Sequence, residues 1–351
     1  MSFTYQQSQF LSLLLGDDEI AELFSTKADL AAMIQFENAL AAAQAEIGII
    51  PAKAAESIEV ALTSFKPELK LLATGIARDG MAIPELVKQL RSVVSVSQAD
   101  HLHFGATSQD VIDTSLSLRA KQAFALFDSR LDATARKFLQ LGTQFGANDL
   151  VAHTRMQRAL PIKVQNRIDN WLHGVSEAQA KASLCRFLVQ LGGPVGTLNQ
   201  FGENGQVLKT ALANKLNLEC VAQNWHSTRG VVVTIADACS HVTGALGKLG
   251  IDVCLMAQNE LGEITLAGGG TSSAMHHKQN PVKAEALVTL AHFNATLISG
   301  MHQSIVHEQE RSGAAWTLEW MLLPQMIVAA GAATRIANEL LDSVTGMGAK
   351  S

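Results

Sequence analysis

The chain has 351 residues, of which 48% are hydrophobic and 17% charged, and this composition excludes a disordered or a collagen-like protein. Its 27 basic and 32 acidic residues give a net charge of −5, with no Lys/Arg-rich run, so nucleic acid is not expected as a partner. A single Tyr against 26 Gly disfavours an all-β fold.

The N-terminal segment lacks the basic start of a secretory signal, because the first Lys or Arg is Lys27. No apolar stretch reaches the roughly 20 residues needed to cross a bilayer, so no membrane partner is expected. None of the four cysteines belongs to a C-x-x-C pair. This usage predicts reduced, buried thiols in a cytoplasmic protein.

Proline spacing leaves room for long helices. No proline lies between Pro84 and Pro161 or between Pro194 and Pro281. Apolar side chains repeat every three or four positions along two stretches, as on one face of a helix. The first stripe is Leu116, Ala120, Phe124, Phe127 and Leu131, and the second is Leu287, Leu290, Leu297, Met301 and Ile305. Asn294 is the one polar member of the second stripe. The pattern predicts an all-α protein with a central long-helix bundle over residues 101–351 and an N-terminal helical domain over residues 1–100.

The first segment with candidate chemistry is His101–Asp110, where a glycine-containing turn leads into a predicted long helix. Thr107 and Asp110 have the spacing of a capping box, which is a purely structural interpretation. The functional interpretation adds to it. A helix start offers free N–H groups and a positive dipole end to a carboxylate, with Ser108 as a hydroxyl donor and His103 as a proton carrier.

The second segment, Ala152–Pro161, is predicted to be a polar loop, with a helix beginning at Pro161. The simple interpretation is a solvated loop. His153, Arg155 and Gln157 nevertheless belong to a dense set of hydrogen-bond donors beside apolar helices, which favours a binding role.

The third segment, Gly268–Pro281, begins with three glycines and continues with two serines and a lysine just before a predicted long helix. Consecutive glycines let backbone N–H groups approach a ligand closely. A flexible linker is one alternative. Metal ligation by His276 and His277 is another, but adjacent histidines diverge on a helix and no acidic partner has metal-site spacing.

Together these segments resemble the three signature regions of the fumarase/aspartase superfamily. The stretch Ser272–Pro281 is similar to its S-S-x-M-P-x-K-x-N-P loop. Within the superfamily, the narrower resemblance is to the bacterial 3-carboxy-cis,cis-muconate cycloisomerases. It is carried by the stretches His103–Thr114, Leu191–Leu198, Trp225–Arg229 and His307–Trp316 followed by Glu319 and Trp320.

The sequence departs from the family pattern at three places. Arg155 stands where the lyases have histidine and the cycloisomerases tend to have tryptophan. His276 stands where the family has proline. The chain ends at Ser351, where relatives carry a further small C-terminal helical domain that helps cover the site, and we expect that domain to be lacking here.

The resemblance implies a proton transfer at the carbon beside a carboxylate while a bond to the neighbouring carbon forms or breaks. It implies Ser272 as the proton donor, with Lys278 and Asn280 completing the catalytic set. The substrate-binding residues it implies are His103, Thr107, Ser108, Gln109, Thr154, Arg155, Gln157, Ser273 and Met275. Neither metal nor organic cofactor is expected. The implied assembly is a homotetramer whose sites lie where three subunits meet.

The expected substrate is a small tricarboxylate, 3-carboxy-cis,cis-muconate, which a cycloisomerase converts to a lactone in aromatic catabolism. A fumarate-forming lyase such as adenylosuccinate lyase is the main alternative, and the absence of histidine at position 155 counts against it. A non-enzymatic helical scaffold is a weaker alternative, because a scaffold has no use for a glycine-rich loop with Ser272 and Lys278.

Overall fold

The computed structural model describes residues 8, 10–271, 275 and 279–349, and helices dominate this part of the chain. The bundle predicted from the sequence is confirmed. Its five long helices are α7 (Ser108–Phe145), α8 (Val164–Ser183), α10 (Gly230–Met256), α11 (Val282–Gln303) and α12 (Ala314–Asp342). Helix α10 packs on α8, α11 and α12, and α7 packs on α8 and α12.

A second group of helices packs around the start of α7 and against the bundle. Its members are α1 (Ser12–Leu15), α2 (Asp18–Leu23), α3 (Thr26–Glu46), α4 (Ala52–Thr63), α5 (Leu69–Asp79), α6 (Ile83–Val93) and α9 (Gly205–Leu216). Residues from α3 to α6 share a hydrophobic core with the start of α7 and with residues 189–218. The domain boundary near residue 100 stays a prediction.

Short strands form three two-stranded antiparallel sheets. The pairs are β1 (Asp149–Thr154) with β2 (Gln157–Lys163), β3 (Ile264–Leu266) with β6 (Val344–Met347), and β4 (Gly270–Thr271) with β5 (Gln279–Asn280). Two of these sheets, β1–β2 and β4–β5, lie in the second and third candidate segments.

The helical stripes predicted from the sequence face the bundle core. Phe127 and Leu131 on α7 and Leu287 on α11 are fully buried, whereas Ile305 lies beyond the end of α11 and is 39% exposed. Asn294, the polar member of the stripe, is also fully buried. Its amide nitrogen donates to the carbonyl oxygens of Cys239 and Met326, so it ties α11 to α10 and α12.

Two helices, α10 and α12, are long and apolar enough to cross a membrane by length and composition alone, contrary to the expectation from the sequence. The most apolar windows of α10 and α12 are 56% and 67% buried inside the protein. Helices that are apolar around most of their circumference are typical of protein cores as well as of membranes.

All four cysteines are free, as the sequence predicted. Cys185 and Cys239 are buried, but Cys220 and Cys254 are only partly so. Burial raises the pKa of the Cys185 thiol to about 12 and that of Cys254 to about 11, which leaves both protonated and unreactive at neutral pH.

A buried ion network joins three of the bundle helices. Arg229, at the start of α10, is 1% exposed and donates from Nη1 and Nη2 to Asp113 on α7 at 2.7 and 3.0 Å. Its Nε and Nη2 donate to Glu319 on α12 at 2.9 and 2.6 Å. The indole N–H of Trp316 also donates a hydrogen bond to Asp113 at 3.0 Å. Both carboxylates are also about 1% exposed and share Arg229 as a counter-charge, and His307 Nε2 lies 3.4 Å from Glu319.

Replacing Arg229 with methionine should therefore lower the free energy of unfolding by about 3–5 kcal/mol, since Asp113 and Glu319 would remain buried without the counter-charge that they share. Urea unfolding followed by far-ultraviolet circular dichroism measures the change. Arg186→Met is the matched control, because the Arg186–Glu219 pair is about half exposed and should contribute only about 0–1 kcal/mol. An equal loss in both variants would contradict the assigned role of Arg229.

Candidate active site

The first segment forms the N-terminus of α7, as expected. Thr107 is the N-cap and forms the capping box with Asp110, with its backbone N–H 3.0 Å from Oδ2. The turn before it needs glycine: Gly105 has φ +73°, and a Cβ there would lie 2.1 Å from the ring of Phe201. Ser108, the first helical residue, is half-buried. The free N–H groups of this helix start are suited to an anion.

Asp110 is the centre of this local structure. It is fully buried and accepts backbone N–H groups from Gly192 at 2.8 Å and Gly193 at 3.0 Å. His226 Nε2 lies 2.7 Å from the Oδ1 atom of Asp110. Together with Thr107, these contacts fasten two loops to the start of α7 through one carboxylate. The sequence identified Asp110 only as a capping residue, because the contacts with residues 192, 193 and 226 are formed by the tertiary fold.

His103 lies beside this helix start. Its Nδ1 is 2.6 Å from Oε1 of Glu37, which is buried. Burial lowers the pKa of His103, but the charge and hydrogen bond of Glu37 raise it by more, so the pKa lies above its usual value. The raised pKa favours the protonated ring, whose charge would be paired with the Glu37 carboxylate.

Gln109 connects the first segment to Arg311, a residue that the sequence did not indicate as part of the site. Gln109 is fully buried, its Nε2 donates to the carbonyl oxygen of His226 at 2.7 Å, and its Oε1 accepts from Arg311 Nε at 3.1 Å. Arg311 also donates from Nη2 to the carbonyl oxygen of Pro194 at 3.1 Å. Arg311 belongs to the stretch 307–316, which contributed to the family resemblance, but no local motif there indicated a role for this residue.

The second segment is a β-hairpin and not a loop that opens a helix. Thr154 ends β1, Gln157 begins β2, and Arg155 and Met156 form the turn with φ of 49° and 66°. The expectation for Pro161 is wrong: it lies in β2, and α8 begins three residues later. A two-stranded hairpin accommodates proline because one edge of each strand forms no ladder hydrogen bonds.

Arg155 is exposed and forms no ion pair within the part of the chain that the structure describes. It lines a cavity of about 760 Å³ between the hairpin, α8 and the C-terminal end of α10. The cavity also has basic side chains from His153, Arg167 and Lys248, and acidic ones from Asp252, Glu260 and Glu263. Lys248 and Asp252 neutralise each other at 2.5 Å.

The third segment is described at its two ends. Asn280 pairs with Gly270 across the β4–β5 ladder and lies two residues before α11, as expected. Glycine is needed at position 270, because a Cβ there would be 2.6 Å from Cγ2 of Val282. Met275 is 45% exposed. Five residues singled out in the sequence lie outside the described residues: Ser272, Ser273, His276, His277 and Lys278.

Within one chain, no direct polar contact joins the described residues of the three segments. Among the described residues, no hydrogen bond or ion pair connects the start of α7, the β1–β2 hairpin and the β4–β5 ladder. No group of three or more His, Cys, Asp or Glu side chains is arranged to hold a metal ion in residues 8, 10–271, 275 and 279–349.

Comparison with known proteins relates this arrangement to characterised enzymes. The sequence model of the lyase family matches residues 16–295. A 3-carboxy-cis,cis-muconate cycloisomerase from Acinetobacter baylyi is 35% identical over 97% of this chain and 77% of the relative. A nitrosuccinate lyase from Streptomyces davaonensis is 33% identical over 96% of this chain and 75% of the relative.

A solved structure shares the fold. The crystal structure of beta-carboxy-cis,cis-muconate cycloisomerase from Acinetobacter calcoaceticus sp. ADP1 matches with a TM-score of 0.90 and 30% identity, over 96% of this chain and 78% of that one. The family match over most of the sequence and the shared fold agree with the three signature segments. The chain therefore belongs to the lyase family of the fumarase/aspartase superfamily.

Proposed function

We propose that the protein is a cofactor-independent 3-carboxy-cis,cis-muconate cycloisomerase of protocatechuate catabolism. The similarity to cycloisomerases at 33–35% identity supports this activity. The structural observation that carries the proposal is Arg311, which lies beside the N-terminus of the 38-residue helix α7 and whose hydrogen-bond partners among the described residues are all neutral. A substrate with several carboxylates would supply the missing negative charge.

The reaction is an addition within one molecule. A carboxylate oxygen of the substrate forms a bond to a carbon of a double bond, and the π electron pair moves to the carbon beside a second carboxylate. Delocalisation into that carboxylate gives an aci-carboxylate, and a proton transferred to the carbon completes the lactone. The trianionic substrate takes up one proton and becomes a dianion. Because both reacting groups belong to one molecule, the entropic part of the barrier is small.

The groups at the start of α7 stabilise the charge that develops. The free N–H groups of the helix, the hydroxyls of Thr107 and Ser108, and the His103 ring bind carboxylates of the substrate. Arg155 and Arg311 bind further carboxylates, and Thr154, Gln157, Ser273 and Met275 complete the proposed set of binding residues. In the third segment, Ser272 donates the proton, while Lys278 and Asn280 hold the carboxylate whose charge grows.

An eliminating lyase is the second candidate, because a nitrosuccinate lyase is 33% identical to this chain. One assay separates the two functions. The purified protein is mixed with 3-carboxy-cis,cis-muconate, nitrosuccinate or adenylosuccinate, and ultraviolet absorbance and proton uptake are followed. Cyclisation should remove the conjugated diene and consume one proton per turnover. Turnover of nitrosuccinate or adenylosuccinate alone would refute the cycloisomerase proposal.

We further propose a homotetramer in which each site takes its three segments from three subunits. The lack of hydrogen bonds or ion pairs between the described residues of the three segments is compatible with this assembly. The hairpin supports it too, since Met156 and Leu160 are each 73% exposed, and large exposed apolar side chains on a projecting element are typical of contact surfaces. A cytoplasmic location is proposed from the four free cysteines.

Sedimentation equilibrium should give a mass four times that of the chain, since the shared site requires a closed assembly. Met156→Asp, which places a charge on the proposed contact surface, should dissociate the tetramer and reduce kcat. Lys66→Asp is the control, because this exposed residue lies outside the hairpin. A fully active monomer would overturn both the assembly and the shared site.

Replacing Ser272 with alanine should lower kcat by a factor of about 10²–10⁴, the usual contribution of a general acid or base, and should leave the melting temperature unchanged. Steady-state kinetics at saturating 3-carboxymuconate measure the effect. Ser273→Ala is the matched control and should retain most of kcat. If Ser272→Ala kept more than about a tenth of the wild-type activity, a different proton donor would be required.

Replacing Arg155 with alanine should raise KM for 3-carboxymuconate by about 10–100-fold with a smaller change in kcat, because arginine binds a carboxylate but does not exchange protons near neutral pH. Arg155→Lys should recover only part of the loss, since lysine lacks the planar fork.

Arg158→Ala is the matched control, because Arg158 is an exposed arginine of the same hairpin that does not line the cavity. An unchanged KM in both Arg155 variants would assign Arg155 to the solvated surface. A collapse of kcat at constant KM would assign it to the transition state instead.

A further inference from the structure

Gln109 has both ends of its side-chain amide committed to protein partners. Its Nε2 donates to the carbonyl oxygen of His226 at 2.7 Å, which fixes the orientation of the amide. Its Oε1 consequently points to Arg311 and accepts the Nε hydrogen at 3.1 Å. Gln109 is 0% exposed, so a substrate does not reach it directly.

The contacts of Arg311 use one edge of its guanidinium. Nε donates to Gln109 and Nη2 to the carbonyl oxygen of Pro194, each at 3.1 Å, and these two nitrogens share an edge. Nη1 forms no hydrogen bond with the residues that the structure describes. The end of the guanidinium that carries Nη1 and Nη2 thus remains available for a bidentate contact with a carboxylate.

We infer that Gln109 is a positioning residue, which holds the plane of the Arg311 guanidinium so that this end meets a substrate carboxylate. The inference deepens the proposed function and rests on it. It differs from direct substrate binding by Gln109, because the residue acts only through Arg311.

The chemistry of the amide explains why glutamine suits this position. Glutamate would offer an acceptor to Arg311, but it would neutralise the guanidinium charge and could not donate to the carbonyl oxygen of His226. Methionine has a similar length and would fill the space, but it provides no strong acceptor for Nε. A neutral residue that accepts at one end and donates at the other meets both requirements.

A double-mutant cycle with Gln109→Met and Arg311→Lys tests the inference by steady-state kinetics on 3-carboxymuconate. Gln109→Met should raise KM about tenfold and change kcat by less than about threefold, as expected for loss of one hydrogen bond to a charged group. Lysine has no Nε–H for Gln109 to orient. In the Arg311→Lys background, Gln109→Met should therefore raise KM by less than about twofold.

Gln190→Met is the matched control. Gln190 is also a fully buried glutamine with two side-chain hydrogen bonds, to Asp113 and to the backbone N–H of Trp225, but it does not contact Arg311. Its effect should be the same in the wild-type and Arg311→Lys backgrounds. If Gln109→Met does not fold, Gln109→Glu replaces it in the cycle and should raise KM because it neutralises Arg311.

The outcomes distinguish a failure of the proposed function from a failure of the positioning role of Gln109. An inactive wild type would overturn the proposed function and the positioning role with it. An active wild type in which the effects of Gln109 and Arg311 on KM are independent would overturn the positioning role alone. A loss of kcat without a change of KM in Gln109→Met would likewise overturn it, since a displaced carboxylate-binding group weakens binding first.

Discussion

The positive charge of Arg229 in the interior of the bundle is the constraint on which the rest of the structure depends. Removing a guanidinium from water is costly, and the cost is met only when its donors have well-placed carboxylate acceptors. Asp113 on α7 and Glu319 on α12 provide these acceptors on either side of Arg229. The three helices are therefore held in one relative arrangement, because any shift would leave buried charge without compensation.

This arrangement determines where the start of α7 lies. Asp113 is located one turn beyond Asp110, so the helix that carries the ion network also carries the carboxylate that fastens the loops at Gly192 and His226. The capping box of Thr107 is built on the same carboxylate. Rigid support of this kind is what a site for a transient anionic intermediate needs, since donors that must reorganise contribute less to catalysis.

Three arginines of the chain, Arg229, Arg311 and Arg155, differ in their partners. Arg229 is neutralised by two carboxylates inside the protein. Arg311 has two neutral carbonyl partners, and Arg155 has no ion pair in the described ranges. An arginine without a protein carboxylate keeps its charge available for a ligand, and a tricarboxylate substrate has three charges to match. In the proposed function, Arg155 and Arg311 bind two of these carboxylates.

The sequence by itself determined the helical fold and the first segment. Proline-free stretches and three-to-four spacing indicated α7, α10 and α11, and the Thr107–Asp110 spacing indicated the capping box, because these features depend on neighbours close along the chain. Ser272, Lys278 and Asn280 were likewise identified from the sequence, because they belong to one short motif. The hairpin at Arg155 was not, because its short strands offer no periodicity and its turn contains neither glycine nor asparagine.

Only the tertiary structure decided the partners of Asp110, Gln109 and Arg229. Arg311 lies 202 residues from Gln109 along the chain, and Glu319 lies 90 residues from Arg229. A residue's own sequence context does not indicate which distant group will meet it, since that depends on how the helices pack. Burial then determines the cost of each contact: Arg229 is tolerated in the interior because the packing of the helices brings carboxylates to it.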